Sequence, residues 1–174
     1  MAFTIREMRD GDRRGIAALD TSFETRSIFE VIVKPRGIEL VEKPLAQPRT
    51  KRYPNADIFA QWSTWDTAFV ADDDGIIGFA AVEYAAWHAR LVLWHCYVAP
   101  ARRREGVARA LLERVEAHGR TVGAQRVWLE TSSVNVPGVN AYERLGYSLC
   151  GCDVTLYEGL AYQDEAALYL TKPL

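Results

Sequence analysis

Three sets of residues in this sequence have the types and spacing to do chemistry. The run Arg103-Arg104-Glu105-Gly106-Val107-Ala108 is a glycine-containing turn that leads into a segment of helical periodicity. A helix start presents unpaired N–H groups and the positive end of the helix dipole. With small residues at 106 and 108 a diphosphate can come close to that backbone, and Arg103 and Arg104 can add charge-assisted bonds. The spacing is neither a dinucleotide fingerprint nor a Walker loop. Taken alone, the run reads equally well as a basic solvated turn. The second set is Asn135 and Tyr142, placed where a strand runs into a helix. Asn135 suits an N-cap. A positioned phenol such as Tyr142 can act as a general acid, and a core aromatic is the other use of that place. The third set is Glu83, His95 and Glu130, three groups able to take a proton. Asp153 suits an ammonium group or a plain turn. Trp62, Trp65 and Trp87 suit the wall of a pocket, although core packing is the more frequent use of tryptophan.

The elements that must position these residues follow from periodicity. Thr4 to Met8 reads as a first strand, and Asp10 as the cap of a helix marked by Ile16, Leu19 and Phe23. Phe29 to Val33 is apolar and of open type, and Ile38 to Val41 is strand-like. The stretch from about Pro44 to Asn55 holds three of the seven prolines and reads as a structured loop. Ala68 to Ala71 and Ile76 to Tyr84 form a hairpin across Asp72-Asp73-Asp74-Gly75, an acidic tip read as solvated. Arg90 to Val98 is a strand that ends at Pro100. On it His95 is out of phase with Val98, so the two point to opposite faces unless a bulge intervenes. Val107 to Thr121 is the clearest helix, with Val107, Leu111, Leu112 and Val115 on one face. Arg126 to Thr131 is the next strand, and Asn135 to Leu145 a helix closed by Gly146. Tyr147 to Tyr157 and Ala166 to Thr171 are the last strands. Antiparallel strands followed by alternating strands and helices argue for α+β layers around one sheet.

Composition narrows the class. The chain has 174 residues, 49% of them hydrophobic, which fits a single domain over residues 1–174. A net charge of -2 supplies no basic field for nucleic acid or an anionic membrane. No apolar run approaches a membrane span and no leader is evident. Cys96, Cys150 and Cys152 make a poor disulfide framework and read as reduced thiols of a cytoplasmic protein. No metal-ligand spacing is present.

Val98-x-Pro100 followed by Arg103-x-x-Gly106-x-Ala108 resembles the acetyl coenzyme A signature of the GNAT superfamily of N-acetyltransferases. Asn135, Tyr142 and Gly146-Tyr147 are similar to the second hallmark of that superfamily. The resemblance implies a mixed, mostly antiparallel central sheet of about seven strands flanked by about four helices. It also implies acetyl-CoA as acetyl donor and no metal. Tyr97 and Val98 would bond the pantetheine arm through their backbone. The amides of Arg103, Arg104, Glu105, Gly106, Val107 and Ala108 would hold the pyrophosphate, with Asn135 as a further cofactor contact. The Val98 N–H would meet the oxyanion, and Tyr142 would protonate the departing thiolate.

The similarity extends along the chain to one branch, the streptothricin acetyltransferases. It is carried by Ser22-Phe23, Phe29-Glu30-Val31, Gly37-Ile38-Glu39-Leu40, Lys51-Arg52-Tyr53-Pro54, Leu129-Glu130-Thr131 and Glu165-Ala166-Ala167-Leu168-Tyr169. The branch acetylates an amine in the β-lysine part of a cationic antibiotic, so a small cationic amine is the implied substrate, with Asp153, Trp87 and Trp65 as its contacts. Where the branch has an acidic residue mid-strand before Val98, this chain has Trp94-His95. Glu83 on the adjacent strand is therefore the first choice as base, ahead of His95 and Glu130. A peptide N-acetyltransferase and a non-catalytic acetyl-CoA-binding module are the competing readings, and a homodimer is left open.

Overall fold

The computed structural model of the chain describes residues 3–174. Its strands are β1 (Thr4–Glu7), β2 (Ser22–Lys34), β3 (Gly37–Arg52), β4 (Thr67–Asp72), β5 (Ile76–Ala85), β6 (Arg90–Val98), β7 (Arg126–Ser132), β8 (Ser148–Asp153) and β9 (Ala167–Pro173). The α-helices are α1 (Arg13–Ala17), α2 (Val107–Thr121) and α3 (Val136–Arg144). Seven strands form one sheet in the order β1-β4-β5-β6-β7-β9-β8, and β2 and β3 pair as a separate ribbon. The β1–β4, β4–β5, β5–β6 and β8–β9 pairs are antiparallel. The fold is the expected α+β one, with three α-helices among the described residues where about four were implied.

The chain divides into two compact units, and β7 runs from one into the other. The first contains residues up to Ser22, Arg52–Trp128 and Pro173–Leu174. Its sheet has two differently used faces. On one, α2 lies so close to β5 that a Cβ at Gly78 would come within 3.0 Å of both Leu111 and Val107. Glycine at 78 is thus what lets the helix seat. On the other face Ala68, Val70, Phe79 and Ala81 pack with Ile16, Leu19 and Ile58. The pairing keeps these sets apart, since Phe79 and Ala81 alternate with Gly78, Ala80 and Val82 along β5.

The N-terminal helix is shorter than its apolar marks suggest. It stops at Ala17, and Phe23 is a buried residue of β2. The Asp20 carboxylate accepts the Ser22 N–H at 2.9 Å, a local turn that competes with helical continuation. Asp10 caps nothing; Asp12 instead accepts the Arg9 N–H at 2.7 Å.

The second unit contains Phe23–Lys51 and Leu129–Lys172. Here the expected loop at 44–52 is the second half of β3. Residues such as Ile28, Val31, Ile32 and Val33 favour a pleated surface, so a ribbon forms. Pro44 and Pro48 are an even interval apart, so in a regular strand both face the same edge. The eighth strand ends at Asp153, earlier than Tyr157, because Asp153 Oδ1 accepts the Thr155 and Leu156 N–H groups at 2.7 and 3.1 Å and turns the chain.

Candidate active site

The turn before α2 has the backbone a diphosphate needs. Arg104 and Gly106 both take left-handed conformations, at φ 69° and 87°, so the intervening amides are turned relative to a regular strand or helix. No side chain caps α2, and its first turn has no acidic residue. A Cβ at Gly106 would meet nothing within 4 Å, so the side of the turn from which an anion would approach is open. The carboxylate within the turn, Glu105, accepts Arg102 Nε at 2.8 Å, and Arg102 also donates to Asp73 at 2.7 Å. The acidic hairpin tip is therefore not merely solvated. Asp73 braces the turn, and Asp72 accepts Arg6 Nη2 at 2.6 Å. These features fit the pyrophosphate of coenzyme A on the amides of 103–108.

Two expectations change in detail. The Arg103 guanidinium donates to the Val98 carbonyl at 3.2 Å and to the Ser22 carbonyl, so this side chain fastens the turn to the end of β6 rather than reaching outward. The Ala99 N–H donates to the Ile77 carbonyl at 2.9 Å. Residues 97 and 99 therefore face β5 with their backbone, and Val98 faces away from it. Of the two residues expected to bond a pantetheine arm, Tyr97 has its backbone in the β5–β6 ladder, whereas Val98 does not. The Tyr97 ring packs between His95 and Tyr53, with centroids at 5.7 and 5.9 Å.

The face of β5 and β6 opposite α2 carries two of the candidate bases, Glu83 and His95. Pairing is regular from Gly78↔Val98 to Ala81↔His95, then shifts so that Val82 meets Leu93. The bulge thus lies before His95, and His95 points away from the face of Val98, as alternation predicts. The extra residue, Trp94, is brought towards Glu83, and its indole N–H donates to Glu83 Oε2 at 2.9 Å. The Thr64 hydroxyl donates to the same oxygen at 2.7 Å. Glu83 is half-buried, a carboxylate fixed by two donors. His95 is 7% exposed, and burial lowers its pKa to about 4. It is neutral near pH 7, with Ser63 Oγ 3.2 Å from Nε2 and the Tyr97 hydroxyl 3.4 Å from Nδ1. So depressed an imidazole is a weak base.

The tryptophans separate by use. Trp65 donates its indole N–H to the Ile58 carbonyl at 2.6 Å and packs edge-on against Phe59 and Phe79. It serves the core, which corrects the expectation of a substrate contact. Trp87 is 86% exposed and stacks on His88 at 4.0 Å. Trp62 is 58% exposed, its ring 6.4 Å from that of Trp94.

In the second unit, Asn135 caps α3 as its type predicts. Its Oδ1 accepts the Gly138 N–H at 3.1 Å while Nδ2 donates to Thr131 Oγ1 at 2.9 Å. Tyr142 on α3 is half-buried, its ring edge-on to Tyr147 at 5.5 Å. Asp153 Oδ1 takes the Thr155 hydroxyl as well as the two backbone amides. Donation by Thr155 holds its pKa below the usual carboxylate range. That geometry is a turn, and it gives no support to an ammonium site at Asp153. Glu130 on β7 accepts the Tyr157 hydroxyl.

Thr64, Trp94, Asp73 and Arg102 are the supporting residues that sequence reasoning missed. The paired Arg102 and Asp73 lie 29 residues apart, and only the hairpin's return to the turn joins them. Among the described residues no group of three or more His, Cys, Asp or Glu side chains could hold a metal, and no helix is long and apolar enough to cross a membrane. Cys96, Cys150 and Cys152 form no disulfide among the described residues.

Residues 37–147 match the acetyltransferase (GNAT) family. The chain is 38% identical over 179 residues to a streptothricin acetyltransferase of Streptomyces lavendulae, covering 98% of this chain and 95% of that one. The crystal structure of a nourseothricin acetyltransferase superposes with a TM-score of 0.91 at 39% identity, over 99% of both chains. A Bacillus anthracis protein solved in complex with acetyl coenzyme A shares the fold, with a TM-score of 0.83 at 22% identity over 99% of both chains.

Proposed function

This chain belongs to the GNAT acetyltransferase family and is an acetyl-CoA-dependent N-acetyltransferase, and we propose from that premise that its acceptor is an amine in the β-lysine part of streptothricin. The observation that carries the acceptor is the agreement over nearly the whole chain with a streptothricin acetyltransferase, which includes segments remote from the cofactor turn. Acetylation would remove a positive charge from the antibiotic and so inactivate it. On this reading residues 1–174 act as one domain in the cytoplasm, on a small cationic amine, and a homodimer is the assembly the family suggests.

Acetyl-CoA supplies an activated acetyl group when bound. The backbone amides of Arg103, Arg104, Glu105, Gly106, Val107 and Ala108 hold its pyrophosphate, and Asn135 adds a contact from the start of α3. The backbone of Val98 is free of the β5 ladder, so its N–H meets the pantetheine arm and the negative charge that develops on the acetyl oxygen. An attacking amine must first be neutral. Glu83, held by Thr64 and Trp94, takes that proton, directly or through water, and Trp87 lies against the acceptor. Tyr142 gives a proton to the departing thiolate. Positioning by these groups supplies much of the rate.

Release of free thiol from acetyl-CoA, followed with streptothricin, lysine-containing peptides and simple amines, tests the reading. Turnover with streptothricin is expected to exceed that with peptides by orders of magnitude. Turnover confined to peptides would replace the acceptor, and acetyl-CoA binding with no turnover on any amine would leave a binding module.

A further inference from the structure

Glu130 differs from Asp153, Asp164 and Glu165 in what surrounds it. Glu165, with a fully buried side chain, accepts Arg49 Nη2 at 2.8 Å and also bonds Lys51 and Ser132. Asp164 is 3.4 Å from Arg49. Asp153 is turned into its own loop. Glu130 receives the Tyr157 hydroxyl, and Lys51, the cation whose charge acts on it, is itself bonded to Glu165. Glu130 is reachable by solvent, yet enough protein surrounds it that desolvation raises its pKa, against the lowering effect of Tyr157 and Lys51. A carboxylate bonded by a single phenol gains a charge-assisted contact when a cation is placed beside it.

The wall beside it is suited to cations. The Tyr157 and Tyr162 rings meet edge-on at 5.1 Å, and the Tyr162 face already holds the Lys51 ammonium at 4.9 Å. Leu156 and Leu160 on the same loop are 47% and 46% exposed and offer cover for methylenes. The loop is held at both ends, by the Asp153 turn and by the Glu165 N–H donating to the Tyr162 carbonyl at 3.0 Å.

We propose that Glu130, with the Tyr157–Tyr162 pair, forms a second cation subsite, which binds an ammonium or guanidinium group of the acceptor other than the amine that is acetylated. The inference rests on the reading of a polycationic acceptor, and its test is separable from that reading. Spermidine, a triamine, serves as the probe. Calorimetric titration of the whole protein with spermidine is expected to give binding to wild type and roughly tenfold weaker binding to Glu130→Gln. Glu130→Asp, which keeps the charge, should retain most of the affinity and guards against a folding loss in the glutamine variant. Tyr157→Phe should fall between the two. With streptothricin, Glu130→Gln is expected to raise KM by a similar factor with kcat within about twofold. Equal spermidine affinity in wild type and Glu130→Gln, or no binding to wild type, overturns the subsite. A collapse of kcat at constant KM also overturns it, by making Glu130 a proton acceptor. If wild type fails to acetylate streptothricin while the spermidine difference persists, the acceptor's identity falls and the subsite stands.

Discussion

Glu83 accepts both of its donors on one oxygen, from Thr64 on one side and Trp94 on the other. Two fixed donors set the plane of the carboxylate, which a base acting on a bound amine requires. Glu83→Gln is expected to lower kcat/KM by about 10²- to 10⁴-fold, and Trp94→Phe and Thr64→Val by roughly tenfold each. Thr64→Ser, which keeps the hydroxyl, should stay near wild type. Steady-state thiol release measures all four, and an unchanged Glu83→Gln removes the base. Gly106→Val should weaken acetyl-CoA binding, because a branched side chain is strained at φ 87° and fills the open side of the turn. Full affinity in a folded variant, measured by calorimetry, would detach the turn from the cofactor. Tyr142→Phe should lower turnover well below wild type at nearly unchanged cofactor affinity, and equal turnover would dismiss the general acid. The turn and the Asn135 cap were legible in the sequence because each is written within a few adjacent residues. The Glu83 clamp was not. Trp94 reaches Glu83 through a register shift in β6, and Thr64 comes from a segment without periodicity.

At the scale of the element, α3 depends on a contact with no side chain at one end. A Cβ at Gly138 would lie 2.3 to 2.6 Å from the Asn135 side chain, so the residue that donates to the cap must also make room for it. Gly138→Ala should expel the Asn135 carboxamide and cost about 1 kcal/mol or more, as losing an N-cap does. Asn135→Ala should cost about the same, and the two together less than the sum, since one interaction is removed twice. Thermal unfolding of the three variants decides; strict additivity would mean that the cap and the glycine are independent. Element boundaries were legible where hydrophobic period and terminators agreed, as for β6 and α2. They failed where local side-chain bonding decided, at Asp20 and Asp153. In β3, prolines that usually mark loops were absorbed by a ribbon.

Across the whole molecule, His95 links stability to pH. Its folded pKa of about 4 lies below the ordinary 6.5. Above pH 6.5 the folded and unfolded forms are both neutral, and the group has no effect. As pH falls from 6.5 towards 4 the unfolded chain takes the proton first, so stability declines by up to about 3 kcal/mol. Asp12 acts in a lower window. The Arg6 hydrogen bond holds its pKa to about 2, below the ordinary 3.8, so its stabilising effect is lost as pH falls through that range. Denaturant unfolding between pH 4 and 8 should therefore decline below 6.5 in wild type, and His95→Gln should flatten the slope between 4 and 6.5 whatever its absolute stability. An unchanged slope would assign the pH dependence to other groups.

The prolines of β3 bear on how copies of this chain meet one another. An open edge of a ribbon is a template on which a further strand can add. Pro44 and Pro48 in β3 have no N–H, so a strand added along the side of β3 that they face would lack two ladder bonds. A neighbouring chain could start a ladder there but not continue it through residues 44–48. The ribbon carries exposed Ile32, Val33 and Ile38 near its tip, and the side of β3 that the prolines face resists growth of a shared sheet.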